Sequence, residues 1–193
     1  MEVLIFDHMN ECTEVEVQRM LPLVSTQRRE QALRYKHTFG QFCCLKSWLM
    51  LYELMDEGMK GLMDEWKYNE HGKPYIEGGP YFSISHCKEG IAVAMSEEPI
   101  GIDIETIRHA NEELIERTMN EDERLRIKEL GIREFTRLWT QKEAIVKAQG
   151  VGILSFEQLL TIGVQSTEYG VQTFEKEKYI YSIAYGKLHC FGA

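Results

Sequence analysis

The sequence predicts an α+β protein of two similar halves, each an antiparallel sheet packed with helices. Three observations carry this reading. Phe82-Ser83-Ile84-Ser85-His86 alternates as a strand, and Ile91-Ala92-Val93-Ala94-Met95 follows across Lys88-Glu89-Gly90 as its hairpin partner. Ile100-Gly101-Ile102-Asp103-Ile104-Glu105 alternates with the strand period of two. Its isoleucines share one face, and two carboxylates share the other with a glycine that is expected to leave open space beside them. Two apolar runs with helical spacing, Phe42 to Leu54 and Glu134 to Gln149, provide helices to cover the sheets. Glu98-Pro99 separates the halves, giving expected units 1–98 and 99–193.

Taken in order, Val3 to Phe6 reads as a short strand, and a helix runs from about Thr13 to Leu21-Pro22, where proline stops it. Ser25 is an N-cap for a segment carrying Arg28, Arg29, Arg34, Lys36 and His37. That basic run is either a solvated helix face or an anion grip, since arginine forks match phosphate geometry. Gly58 and Gly61 are expected to end the Phe42–Leu54 helix, and Tyr68 to Tyr75, with its Asn, Gly and Pro, to form a loop. The Gly-Gly-Pro of residues 78–80 is a second break. Beyond the Ile100–Glu105 strand a helix is expected over Glu112–Met119, and Asn120 with Glu123 forms a capping box opening a helix over Asp122–Leu130. Gly131 stops that one, and Gly150 stops the Glu134–Gln149 helix. Strand-like runs follow at Leu159–Val164, Val171–Phe174, Tyr179–Tyr185 and Lys187–Phe191.

Composition narrows the function classes. The 193 residues are 44% hydrophobic and 27% charged, an ordinary globular balance. No run approaches the ~18 apolar residues of a membrane span, and the N-terminus lacks the basic flank of a signal peptide. A cytoplasmic protein with no membrane partner is therefore expected. Five cysteines, odd in number and without Cys-x-x-Cys spacing, read as reduced packing residues. A net charge of −9 argues against a nucleic-acid partner, but not against an anionic ligand near the clustered basic residues.

Two constellations carry chemistry. Asp103 and Glu105 lie roughly 6–7 Å apart along one strand face. Carboxylates that close repel unless a cation sits between them, and hard oxygens on a rigid strand suit Mg²⁺. The bland alternative is an edge strand with its acids in water. On the Glu134–Gln149 helix, Phe135, Leu138, Trp139, Ile145 and Val146 form an apolar stripe, with Lys142 inside it and Glu143 and Lys147 on its shoulder. Glu143 and Lys147 alone are an i,i+4 pair worth only ~0.3–0.5 kcal/mol. Lys142 is different, because a lysine on a buried face is costly without a partner or ligand. Together the two constellations suggest a site for metal-bound phosphate.

Gly101-Ile-Asp103-Ile-Glu105 and Trp139-Thr-Gln-Lys142-Glu143-Ala-Ile-Val-Lys147 closely resemble the motifs of the 4'-phosphopantetheinyl transferases, in particular their surfactin-synthetase-activating type. Gly72-Lys73-Pro74 and Phe82-Ser-Ile-Ser85-His86 match that family's two upstream motifs, in the right order. The resemblance implies two halves in a pseudo-twofold arrangement with the active site between them, the N-terminal half on the nucleotide side. It implies an enzyme that moves phosphopantetheine from coenzyme A to a serine of an apo acyl or peptidyl carrier protein, leaving adenosine 3',5'-bisphosphate. By motif position Asp103, Glu105 and Glu143 match Mg²⁺ ligands, and Glu143 also the base towards serine. Lys142 and Lys147 match lysines near the pyrophosphate, Ser85 and His86 phosphate contacts, and Lys73 and Pro74 the edge of the nucleotide pocket. Glu123 matches a glutamate near the metal in some members.

The sequence departs from the family once. Where members often carry an arginine for the nucleotide's 3'-phosphate, this chain reads Gly40-Gln41-Phe42-Cys43-Cys44. Arg28, Arg29, Lys36, His37 or Lys46 must then take that role. With both halves in one chain, a monomer is expected. The competing functions are a Mg²⁺-dependent nucleotide phosphohydrolase and a non-catalytic carrier-binding module, and the second has no need of Glu143.

Overall fold

The structure is a computed structural model and describes residues 1–107, 109–151, 156–162 and 168–186. Strand β1 (Glu2–Phe6) opens the chain. Helix α1 (Glu14–Met20) is capped by the Thr13 hydroxyl, and α2 (Thr26–Leu33) by that of Ser25, which accepts from Arg28 N as its position predicts. The apolar helix α3 (Thr38–Leu54) starts earlier than Phe42 and ends where Met55 turns extended. Gly58 and Gly61 therefore do not stop it; they lie in the 3-10 segment Glu57–Glu65. The expected loop at 68–75 is closed by a short ladder, β2 (Lys67–Tyr68) with β3 (Pro74–Tyr75). The predicted hairpin forms as β4 (Tyr81–Cys87) and β5 (Gly90–Ser96), with Lys88-Glu89 as its turn because Cys87 pairs with Gly90.

The second half runs β6 (Ile100–Thr106), α4 (Glu112–Thr118), α5 (Glu121–Leu130), α6 (Ile132–Gln149), α7 (Phe156–Thr161), β7 (Tyr169–Glu175) and β8 (Tyr179–Gly186). Asn120 and Glu123 make both bonds of the capping box. Gly131 (φ 80) divides α5 from α6, and Gly150 (φ 74) closes α6 in the left-handed conformation that glycine tolerates. The strand expected over Leu159–Val164 is instead helical through Thr161. The run Lys187–Phe191 lies outside the described residues.

Two antiparallel sheets have the orders β1-β5-β4 and β6-β8-β7. Each half thus places its third sheet strand between its first and second, and the halves are alike in strand order. Helix α3 covers the first sheet, packing Phe42, Leu45 and Trp48 against Phe82, Ile91 and Val93. The isoleucine face of β6 is wholly buried, meeting Ala92 and Ala94 of β5 between the sheets. Helix α6 covers the second sheet, with Ala144 and Ala148 against Ala184. The layers are helix, sheet, sheet, helix.

Gly101 does not leave open space beside the carboxylates, as its position on the strand implies. A Cβ there would lie 1.9 Å from Ala144 O and 2.5 Å from Ala148 N, so the backbone of α6 fills the gap. This close approach brings Glu143 and Lys147 beside β6. Gly101→Ala should force helix and strand apart and lower stability by about 3 kcal/mol or more, since the obstacle is backbone rather than a movable side chain. Urea denaturation tests this; a wild-type midpoint would show that α6 retreats without cost.

Candidate active site

The site is built where β4, β6 and the C-terminal half of α6 converge. Ser83 Oγ accepts from Ile102 N at 3.0 Å, and Ser85 Oγ donates to Asp103 Oδ1 at 2.8 Å, so the hairpin's serines tie it to β6. Lys147 Nζ donates to the same Oδ1 at 2.7 Å. Asp103 is 4% exposed, and its Oδ2 is buried without a hydrogen-bond partner. The ion pair of Lys147 thus spans helix and strand, in place of the i,i+4 pairing with Glu143 that the helix alone permits. Glu143, 8% exposed, has its carboxyl pushed up to about 7, first by burial and then by the Asp103 charge; Lys147 pulls it back and Glu105 adds to the rise.

The donor set fits a hard cation in its chemistry. An orphaned buried carboxylate oxygen and a neighbouring carboxyl that resists ionising both signal more negative charge than one lysine balances. The carboxylates are not already drawn together, however. Among the described residues no three His, Cys, Asp or Glu side chains are gathered to hold a metal ion.

Two cavities flank these acids. The first, about 360 Å³, lies between the loop residues His71, Gly72, Lys73 and Pro74 on one side and Glu143, Val146 and Lys147 on the other, floored by Phe82 and Ser83. The second, about 330 Å³, opens beside Glu105 and is lined by His109, Leu114, Phe135 and Trp139. His86 projects to the exposed surface next to Phe39, their rings 5.9 Å apart. Loss of water around the imidazole, and then the Lys147 charge, holds its pKa below the usual histidine value, with Asp103 opposing.

Residues 99–189, which carry β6 and α6, match the family model of the 4'-phosphopantetheinyl transferase superfamily. Over this segment the chain is similar to that superfamily. It is 29% identical over 123 residues to 4'-phosphopantetheinyl transferase gsp of Aneurinibacillus migulanus, covering 62% of this chain and 50% of the relative. Against 4'-phosphopantetheinyl transferase Sfp of Bacillus subtilis (strain 168) it is 26% identical over 149 residues, 73% of this chain and 66% of the relative. Against 4'-phosphopantetheinyl transferase AcpT of Salmonella typhi it is 37% identical over 116 residues, 54% and 58%. The chain thus spans about half to two thirds of the curated relatives it matches.

Of the residues that match phosphopantetheinyl transferase motifs, the structure gathers Lys73, Pro74, Glu143 and Lys147 around the first cavity, joins Asp103 and Ser85 to Lys147 by hydrogen bonds to Asp103 Oδ1, and places Glu105 at the second. Lys142 is placed elsewhere, which corrects its expected role near the pyrophosphate. Its ammonium is fully buried, donating to Thr118 O at 2.9 Å, Glu123 Oε2 at 2.6 Å and Leu159 O at 2.7 Å. Every proton of the group has an oxygen partner, so the cost of burying it is met within the fold. Glu123 is corrected with it: its carboxylate serves Lys142 and Asn120 N, not a cation site.

Arg28 also turns inward. Its guanidinium donates twice to Cys44 O, at 3.0 and 2.6 Å, and to Gln31 Oε1 at 2.7 Å, and stacks 4.4 Å above the Trp48 ring. Arg29 Nε donates to Leu21 O at 3.1 Å. The expected anion grip by these two arginines is therefore replaced by structural bonds, because backbone carbonyls and an aromatic face lie within their reach. Lys36 and His37 remain exposed, while Lys46 sits 4.2 Å over the Phe6 ring. Ser83 and Asn69 line or brace the site and were not singled out by sequence. Ser83 shares the alternation of the predicted strand, and Asn69 reads there only as a turn former.

Proposed function

We propose that this protein transfers the 4'-phosphopantetheine group of coenzyme A to a serine of an apo acyl or peptidyl carrier protein and releases adenosine 3',5'-bisphosphate. The observation that carries this reading is that Glu143 and Lys147 line the first cavity, Lys147 is paired with Asp103, and Glu105 of the same strand lines the second cavity. Coenzyme A enters the first cavity, and the acceptor serine approaches from the side of the second. Residues 1–98 provide the nucleotide side, with Lys73, Pro74, Ser85 and His86 at its edge. Residues 99–193 provide the acids and Lys147. One chain supplies both walls, so the working unit is a monomer.

Asp103, Glu105 and Glu143 would hold Mg²⁺, which when bound would polarise the diphosphate and offset the charge gathering on it. Glu143 takes the proton of the serine hydroxyl, a role for which a carboxylate within reach of that hydroxyl is suited. The serine oxygen bonds to the phosphorus that carries the pantetheine arm, and the bridging oxygen leaves with the nucleotide. Lys147 moves its charge from Asp103 towards the 5'-phosphate of the leaving nucleotide. Intact-mass measurement of an apo carrier protein incubated with this protein, coenzyme A and Mg²⁺ tests the reading. A carrier heavier by one phosphopantetheine supports it; an unchanged carrier beside hydrolysed coenzyme A would establish a phosphohydrolase instead.

Asp103→Asn keeps the shape of the side chain and removes its charge. Loss of a direct ligand should cost at least what loss of an outer-shell partner does, about 10- to 100-fold in the Mg²⁺ concentration needed for half-maximal transfer. An unchanged requirement, with the fold intact by circular dichroism, would remove Asp103 from the cation site.

A further inference from the structure

We infer that Asn69 and Lys73 are a positioning pair that clasps the N-terminal half to the C-terminal end of α6, setting the width of the coenzyme A cavity and the place of Lys147. The inference rests on the transferase reading and adds to it a residue, Asn69, that none of the recognised motifs includes. The bonds are specific. Asn69 Oδ1 faces its own loop, accepting from His71 N at 3.0 Å and Lys73 N at 2.8 Å, while Asn69 N donates to Lys73 O at 2.9 Å. With the oxygen so engaged, Nδ2 points out of the loop and donates to Gly150 O at 2.8 Å. Lys73 Nζ donates to Lys147 O at 2.5 Å and to Ile100 O at 3.2 Å.

The carbonyl of Lys147 lies in the last turn of α6, and that of Gly150 just beyond it, where carbonyls lack intrahelical partners. The clasp satisfies both from across the cleft, and the Lys73 charge suits the negative end of the helix dipole. Lys147 is then held at two points, its backbone by Lys73 and its ammonium by Asp103. Since His71, Gly72 and Lys73 form one wall of the cavity and Glu143, Val146 and Lys147 the other, the clasp fixes the distance between them. The Lys73 ammonium is therefore committed to the scaffold rather than offered to a phosphate. Its pKa, lowered to about 8 by burial and then by Lys147, agrees with that enclosed position.

Substitutions separate the clasp from the stability of the loop. Asn69→Asp keeps the acceptor for His71 N and Lys73 N but replaces the Nδ2 donor by an oxygen facing Gly150 O; Asn69→Ala removes both. Lys73→Met removes the ammonium, and Lys73→Arg restores a cation. Coenzyme A affinity by titration calorimetry, steady-state transfer and thermal denaturation are measured for each. Asn69→Asp and Lys73→Met should each weaken coenzyme A about 10-fold, the loss of one or two charge-assisted or neutral bonds, and lower kcat while the KM for carrier stays constant. The double variant should lose less than the product of the two, because both hold one joint, and Lys73→Arg should recover most of the loss. Wild-type coenzyme A affinity in Asn69→Asp, or equal losses for coenzyme A and carrier alongside a lowered Tm, would overturn the clasp while leaving transfer by the wild type intact. A wild type that neither binds coenzyme A nor modifies a carrier would overturn the transferase reading, and the clasp with it.

Discussion

Glu143→Gln is expected to lower single-turnover transfer by about 10²–10⁴-fold while apo carrier still docks. The glutamine fills the same space on α6 but cannot accept the serine proton, and it offers a cation no charge. The same variant should be more stable than wild type at alkaline pH when no divalent cation is present. The sign follows from the carboxyl, which is raised from 4.5 to about 7 in the folded protein. Between those values the folded chain keeps a proton that the unfolded chain has released, so wild-type stability falls as pH rises through the window and stays reduced above it. Glutamine has no such slope. Each pH unit of the window corresponds to about 1.4 kcal/mol, and partial solvent access around the carboxyl reduces the gain to about 1–3 kcal/mol at pH 8. Denaturant titrations at pH 5 and pH 8, beside rapid-quench transfer and carrier binding, make the measurement. Near wild-type transfer by Glu143→Gln would sink the catalytic assignment and bring the carrier-binding module forward.

Lys142→Met is expected to cost stability rather than chemistry. It leaves the Glu123 carboxylate buried without its cation and two carbonyls, Thr118 O and Leu159 O, without a donor. Breaking a buried ion pair from one side typically costs about 3–5 kcal/mol. The loss should fall on the joint where α4, α5 and α7 meet α6. Adding Glu123→Gln removes the stranded charge while keeping an acceptor for Asn120 N, and should recover about half of the loss. The double variant separates the two roles of Lys142, because it is expected to fold and to transfer at close to the wild-type rate. A well-folded double variant without activity would return Lys142 to the diphosphate.

The residues that sequence placed well are those whose behaviour depends on near neighbours. The alternation of Ile100 to Glu105 assigns the isoleucines to the core whichever surface they meet, and all three are wholly buried. Ser25 and Asn120 cap helices through amides three residues away, and Gly131 and Gly150 end helices through their own backbone angles. The order of the four motifs is likewise linear information. It carries the resemblance to the transferase family without any contact, and residues 99–189 match the model of that superfamily.

Tertiary structure decided what those residues do. Lys142 and Glu143 are adjacent in sequence, and periodicity places the lysine in the buried stripe without saying what would pair with it. Its partners, Thr118, Glu123 and Leu159, lie 24, 19 and 17 residues away, and sequence alone does not bring them together. Arg28 read as an anion ligand until α3 brought Cys44 O and the Trp48 ring to it. Gly101 read as open space until α6 filled it. In each case the local pattern states that a group is buried or small, whereas its function depends on which distant atom satisfies it. The energy of a buried charge is set by partners within a few ångströms, and the chain brings those partners together only by folding.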